Sequence, residues 1–390
     1  GHSFHTSRWD YDYTGGDAHG APMQKLQNKK VALIGTGATS VQCVPHLAPA
    51  CQELYVFQRT PSSVDVRGNK PTDAEWFERE VLHPGWQQRW LDNFTTNQTG
   101  GNAEEDLVMD GWTDLSRRIR SKIMALPADD RTPEKMLHAY EDSDFEKMEE
   151  IRARVDSIVE KHDTAQDLKA WYRQLCKRPC FHDEYLQAFN VPGTYLIDTD
   201  GKGVERITET GVVVAGNEYG VDCVIYASGF EVGTPFERRS GYDMIGRNGL
   251  KLSAHWAEGM RTKHGTHVHG FPNAFIVQPT QGANLISNIP HNLTEAGKTI
   301  ALIIKHTLEN GFRQVELTKD AEEEWLEHLM TGGGSMLGSP DCTPGYYNNE
   351  GQDPGPGAQF NVGYPQGASA FFEYIKEWRD TGDFEGLEFR

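Results

Sequence analysis

The stretch from Val31 to Gln42, Val-Ala-Leu-Ile-Gly-Thr-Gly-Ala-Thr-Ser-Val-Gln, constrains the fold more than any other part of the chain. Val31 to Ile34 is a short apolar run of the kind found inside a parallel sheet, and Gly35, Gly37 and the small Ser40 then mark a tight turn into a helix. A strand, turn and helix in that order make a cradle for a diphosphate. The first glycine lets the backbone turn and the second lets it approach a pyrophosphate without a Cβ in the way. The helix end then aims free N–H groups and its positive dipole at the phosphates. The residues expected to hold the nucleotide there are Gly35, Thr36, Gly37, Ala38, Thr39 and Ser40. Taken alone, G-x-G-x-x-S is a weak signature, because Ser stands where Gly or Ala is usual. Pro45 falls inside the expected helix and should kink it or end it early.

The next strand reads Leu54-Tyr55-Val56-Phe57 and is followed by Gln58-Arg59-Thr60. About 20 residues past the first glycine an acid usually grips the ribose 2′-hydroxyl. Here there is no carboxylate, and Arg59 with Thr60 suits a 2′-phosphate, so NADP(H) is favoured over NAD(H).

With 390 residues the chain has room for two or three domains. A formal net charge of −19 argues against nucleic acid as a partner, since phosphate contacts need clustered Lys and Arg. No apolar run approaches the ~20 residues that span a bilayer, and the start, Gly1-His-Ser-Phe-His5, has no signal pattern, so a cytoplasmic protein without a membrane partner is expected. The six cysteines follow no framework spacing and are expected to be reduced thiols. His264, His267 and His269 cluster without an acidic or Cys ligand, so no metal is expected.

From Pro71 to Gln174 the chain turns charged and helical. Thr132-Pro133-Glu134 is a helix start, Ser143-x-x-Glu146 reads as a capping box, and Phe145, Met148, Ile151, Val155 and Ile158 recur at helical spacing as an apolar stripe. Lys177 and Arg178 precede Pro179, which fixes a loop well suited to meeting anions. Tyr195–Asp198, Val212–Val214 and Val221–Ala227 are expected strands, with a turn at Gly216-Asn217-Glu218, and Phe271–Val277 is expected to be a buried strand. Residues 332–367 are rich in Gly, Pro and Asn and read as a long functional loop, and Phe371, Tyr374, Ile375 and Trp378 mark a short amphipathic helix.

The opening Gly1-x-x-x-His5-x-x-x-Trp9-Asp10 reads by itself as a polar, aromatic loop leading into the cradle. It also resembles the fingerprint of type I Baeyer–Villiger monooxygenases, F-x-G-x-x-x-H-x-x-x-W-[P/D], from its third position onward. The resemblance extends to the C-terminus. It implies an α/β fold in which a Rossmann-like NADP-binding domain (26–70 and 175–226) carries a helical insertion (71–174). A linker (1–25) precedes it, and the C-terminal part of a second, FAD dinucleotide-binding domain (227–390) follows. The leading FAD segment with its own glycine turn is expected to be missing, since no second G-x-G-x-x-G follows a strand.

By the same resemblance Arg178 is the catalytic cation and Lys177 a second contact to the 2′-phosphate. Ala227-Ser228-Gly229-Phe230 is similar to the family's crossing from the NADP to the FAD domain, placing Ser228 and Gly229 near cofactor. Asn288 and Ile289 would touch the flavin, and Asn284, Leu285 and Ile286 would line a ketone pocket. The implied reaction is oxidation of a ketone to an ester or lactone with FAD, NADPH and O2, with bulky cyclic ketones as substrates. The sequence leaves two alternatives open: a flavin N- or S-oxygenating enzyme, which Trp9-Asp10 disfavours, and a non-catalytic NADP-binding protein.

Overall fold

Val31, Ala32 and Leu33 are fully buried, as a strand covered on both faces requires. In the computed structural model, which describes residues 1–99, 101, 103–230, 234–278, 280–284, 288–332, 342–353 and 357–390, they lie in the middle of a parallel sheet. Along the chain the first strands are β1 (His2–His5), β2 (Lys30–Ile34), β3 (Glu53–Gln58), β4 (Val64–Asp65) and β5 (Cys180–Phe181). β6 (Thr194–Asp198), β7 (Arg206–Ile207), β8 (Gly211–Val214), β9 (Asn217–Gly220) and β10 (Cys223–Tyr226) follow. The main sheet has the order β1-β10-β2-β3-β6, with every pair parallel. The described residues divide into two compact units, Gly1–Pro71 with Lys122–Glu231, and Thr72–Ser121 with Val232–Arg390. The stretch expected as one helical insertion is therefore shared between the two.

In the first unit the cradle helix, Ala38–Leu47, buries Ser40, Val41, Val44 and Leu47 against the sheet. Pro45 sits inside this helix, which stops two residues later. The opening segment differs from its expectation as a loop: His2–His5 pairs in register with Cys223–Tyr226 as β1. A strand at the sheet's edge faces solvent on one side and tolerates this polar sequence, which is why alternation did not reveal it. A second small sheet, β7-β8-β9, is antiparallel. Its hairpin turns at Ala215 and Gly216, both with positive φ, so Asn217–Gly220 is a strand where a turn was expected.

The long helix, Pro133–Ile158, starts as expected, with Thr132 as its N-cap accepting from the Lys135 amide and Pro133 at its first position. Ser143 caps nothing. It lies mid-helix and donates to the Ala139 carbonyl four residues back (2.6 Å), while Glu146 pairs with Lys122 (2.8 Å). Of the apolar stripe, Met148, Ile151 and Val155 are buried and Ile158 packs against the core, but Phe145 is 62% exposed.

The second unit is built on helices. Ile289–Glu309, Lys319–Leu329 and Ala368–Thr381 surround a core of Ile303, Trp325, Leu329, Phe371, Ile375 and Trp378, and Trp86–Gln98 packs on the last of these helices. The buried Arg379 donates to Glu295 Oε2 (2.6 Å) and joins two of these helices. Phe271–Val277 is not a strand. Asn273 takes φ +58, and the segment makes scattered bonds such as Asn273 N to Val315 O (2.9 Å) and Ile276 N to Thr266 O (2.9 Å) where a ladder was expected. Within 332–367, the described part ties back through Gln281 N to Val362 O (2.8 Å) and Tyr364 N to Gly282 O (2.8 Å).

Candidate functional site

Gly35 closes β2 at φ +110, and a Cβ there would lie 2.6 Å from the Ala227 carbonyl oxygen, so no other residue fits. Gly37 is glycine for a different reason. Its φ of −74° is open to any residue, and a Cβ would meet nothing within 4 Å. It is the N-cap of the cradle helix and makes no side-chain cap bond. The first-turn amides of Ala38, Thr39 and Ser40 have no acceptor within the helix. Ser40 is enclosed, and its Oγ finds no hydrogen-bond partner among the described residues, so only its amide is suited to a ligand. A positive helix end, uncapped and with room for close approach, fits a diphosphate.

At the end of β3 the position usually held by an acid is Gln58, which is buried and bonded within the protein. Its Nε2 donates to Asp198 Oδ2 (2.8 Å) and to the Asp167 carbonyl (2.7 Å). Arg59 follows and is exposed. Thr36 Oγ1 donates to the Thr60 carbonyl (2.8 Å) while Ser62 Oγ donates to the Thr36 carbonyl (2.6 Å), a reciprocal clasp between the glycine turn and the loop after β3. The Thr36 side chain is thus spent on positioning.

The structure brings the second basic segment to this loop. Val64 pairs with Cys180 and Asp65 with Phe181, and Cys180 N donates to Ser63 O (3.0 Å), so Lys177 and Arg178 arrive beside the chain that leaves Arg59 and Thr60. Lys177 is half-buried with its Nζ over the Tyr172 ring, and Arg178 is exposed. Three groups fix the pairing. Asp183 accepts the amides of Arg67, Gly68 and Asn69 at 2.9, 3.0 and 3.0 Å, and these N–H groups, Asn69 foremost, hold its carboxyl below the usual range. Lys147 on the long helix reaches Asp65 (2.6 Å), and Arg154 donates to the carbonyls of Val64 and His182, each at 3.0 Å. Sequence reasoning missed Ser62, Tyr172, Asp183 and this helix face, because none of them has a spacing that announces it.

The fingerprint residues lie at the other edge of the sheet. The His5 ring is 5.5 Å from that of Phe230, and its Nδ1 is 2.8 Å from Ser7 Oγ. Trp9 donates to Thr14 Oγ1 (3.1 Å) and packs edge-on against Phe4. Asp10 accepts the Tyr13 amide (3.0 Å) and contacts His2 Nε2 (2.8 Å); its carboxyl is held low, by the Tyr13 amide first. A Cβ on Gly1 would lie 3.3 Å from the Asp222 carbonyl. Ser228 and Gly229 are exposed at the end of β10, directly after the Ala227 carbonyl that faces Gly35.

In the second unit Asn284 takes φ +72 and its carbonyl accepts from Asn292 Nδ2 (3.0 Å). Asn288 is the N-cap of Ile289–Glu309, with no side-chain cap bond, and Ile289 is that helix's first residue. Leu285 and Ile286 lie outside the described residues. His264 and His267 are buried in an aromatic cage, with Trp325 and Trp378 rings 4.7 and 4.8 Å from His264. No group of three or more metal-binding side chains occurs among the described residues. Cys43, Cys51, Cys180 and Cys223 are free thiols. No helix among the described residues is long and apolar enough to cross a membrane.

No family model matches the chain. It is 48% identical over 393 residues to neopentalenolactone D synthase of Streptomyces avermitilis, an alignment covering 100% of this chain and 65% of that protein. It is 46% identical over 388 residues to Baeyer-Villiger monooxygenase ATR8 of Stachybotrys chlorohalonatus, covering 99% of this chain and 61% of that protein. Among solved structures, polycyclic ketone monooxygenase from Thermothelomyces thermophila matches with a TM-score of 0.88 at 36% identity, over 100% of this chain and 64% of that one. The chain therefore spans a little under two thirds of the length of these relatives. The resemblance, the parallel-sheet α/β fold and the level of identity agree: over the length it spans, this chain belongs to the Baeyer–Villiger monooxygenases.

Proposed function

We propose that the protein serves in the oxidation of a ketone to an ester or lactone with NADPH, FAD and O2, and that its substrates are bulky cyclic ketones. The observation that carries the reading is the uncapped helix end behind Gly37, with the Arg59–Thr60 loop and the Lys177–Arg178 loop paired beside it. The amides of Ala38, Thr39 and Ser40 would hold the diphosphate, and Arg59, Thr60 and Lys177 the 2′-phosphate. Arg178 keeps its charge at any working pH and would stabilise anionic oxygen on the reacting ketone, provided water is kept out. Bound NADPH supplies a hydride, and bound FAD supplies the activation of O2. Ser228, Gly229, Asn288 and Ile289 are this chain's proposed neighbours of the flavin, and Asn284, Leu285 and Ile286 its ketone pocket. His5 and Trp9 would link the edge of the sheet to cofactor state. The choice of bulky cyclic ketones is supported by likeness to a relative whose name gives polycyclic ketones.

The alternative reading is a protein that binds NADP without oxygenating. Adding FAD and recording the spectrum of bound flavin, then supplying NADPH, O2 and a bulky cyclic ketone, separates the two. Bound flavin with ester or lactone formation supports the oxygenase, and Arg178→Ala should then lose product while NADPH still binds. Product formation unchanged in Arg178→Ala removes its catalytic role; NADP+ binding with no flavin favours the second reading.

A further inference from the structure

We infer that Tyr172 is a positioning residue that sets the preference for a 2′-phosphorylated nucleotide, by holding the two cationic loops of the site in one arrangement. The inference rests on the nicotinamide-nucleotide reading above. The Tyr172 hydroxyl donates to the Pro61 carbonyl (2.8 Å) and accepts the Ser63 amide (3.1 Å), so both its hydrogen-bonding roles are taken by the backbone just after Arg59 and Thr60. The ring faces the Lys177 ammonium, 5.8 Å from Nζ to the centroid. The same ring packs against Met148, Ile151 and Ala170, which fix it to the long helix. Burial raises the pKa of the phenol, so it stays a neutral donor.

One side chain therefore touches the loop that carries Arg59 and the charge of Lys177, two stretches more than a hundred residues apart in sequence. On its other flank the same loop is tied to the glycine turn by the Thr36 and Ser62 hydroxyls. Recognition of a phosphate by several cations depends on where each charge is held, because charge-assisted hydrogen bonds are short and directional. Taking away the Tyr172 hydroxyl leaves the Pro61 carbonyl and the Ser63 amide without this partner and loosens the loop. The shape of the glycine turn, set by φ at Gly35 and its contact with Ala227, is untouched. The loss should fall on the part of binding that depends on the extra phosphate.

The test is titration of the whole chain and of Tyr172→Phe with NADP+, NAD+, 2′,5′-ADP and 5′-AMP, with circular dichroism to confirm folding. Phe keeps the ring beneath Lys177 and removes only the hydroxyl. Affinity for NADP+ and 2′,5′-ADP should fall roughly five- to tenfold, the equivalent of about one hydrogen bond, while NAD+ and 5′-AMP change less than about twofold. An equal loss for all four nucleotides, or no loss, overturns the inference. A wild-type chain with no preference for NADP+ overturns the cofactor reading and this inference with it. A preference that Arg59→Ala removes and Tyr172→Phe leaves intact overturns this inference alone. Should Tyr172→Phe not fold, Ile151→Val loosens the seat of the same ring on the long helix without touching the glycine turn, and carries the same direction of change and the same overturning results.

Discussion

Two glycines two residues apart are required for unlike reasons, and a single methyl group tells them apart. At Gly35 an alanine meets a carbonyl oxygen 2.6 Å away at φ +110, so Gly35→Ala should cost about 1–3 kcal/mol or more of stability. At Gly37 the backbone is ordinary and the space is open, so Gly37→Ala should leave stability within about 0.5 kcal/mol of wild type. Its methyl would still stand where a pyrophosphate must approach, and NADP+ affinity should drop at least about tenfold. Thermal melts and nucleotide titrations of the two variants check both statements. A Gly37→Ala chain that binds NADP+ like wild type would remove the reason given for that glycine. The two glycines and the lack of an acid before Arg59 were legible in the sequence, because both are properties of local backbone and charge. Tyr172, Ser62 and Asp183 were not, since each acts on a segment distant in sequence, and only the folded chain shows which backbone groups it meets.

At the scale of elements, the long helix Pro133–Ile158 does more than fill space. Asp144 accepts the Gln174 amide (2.9 Å), Lys147 reaches Asp65, and Arg152 donates to the Ala170 carbonyl (2.8 Å), so its polar face holds the segment leading to Arg178. Its apolar hold is narrow. Ile151→Ala should cost about 2–5 kcal/mol in denaturant unfolding, the usual range for emptying a buried aliphatic site. Phe145→Ala, on a ring that is 62% exposed, should cost no more than about 0.5 kcal/mol. Comparable losses for the two would mean the helix packs by another face. The start of this helix could be read from Thr132-Pro133, but the Ser143-x-x-Glu146 pattern misled, because the same residue types sit comfortably mid-helix when Ser bonds back to a carbonyl. Two strand errors share one cause. Hydrophobic content was read as strand at Phe271–Val277, where Asn273 bends the chain, and polar content as loop at His2–His5, where an edge position excuses it.

For the molecule as a whole, acid should act first on the second unit. Burial pushes His267 down from its ordinary 6.5 to about 3, with the Lys263 charge adding to it, and burial holds His264 well below its ordinary value. Both rings are neutral when folded but take up protons near pH 6.5 once unfolded. Below that pH the unfolded chain binds more protons, and stability falls as pH drops from 6.5 towards 3, at most about 1.4 kcal/mol per pH unit for each ring. Trp325 and Trp378 flank His264 and are two of nine tryptophans, so tryptophan fluorescence during urea unfolding follows the transition of the chain with this site included. The midpoint should fall between pH 7 and 5, and His267→Gln should flatten the dependence; equal slopes in variant and wild type would contradict the assignment. The division into units could not be foreseen from composition, because 72–121 and 122–174 are alike in charge and helical pattern and differ in which core they join. The register of β1 on β10 carries one more consequence. His2–His5 and the strand that leads into Ser228-Gly229 ride on adjacent rails of one backbone lattice, with β2 and its Gly35 turn as the next rail. A tug on His5 therefore reaches the glycine-turn end of β2 across roughly 10 Å of peptide hydrogen bonds, with no side chain needed to relay it.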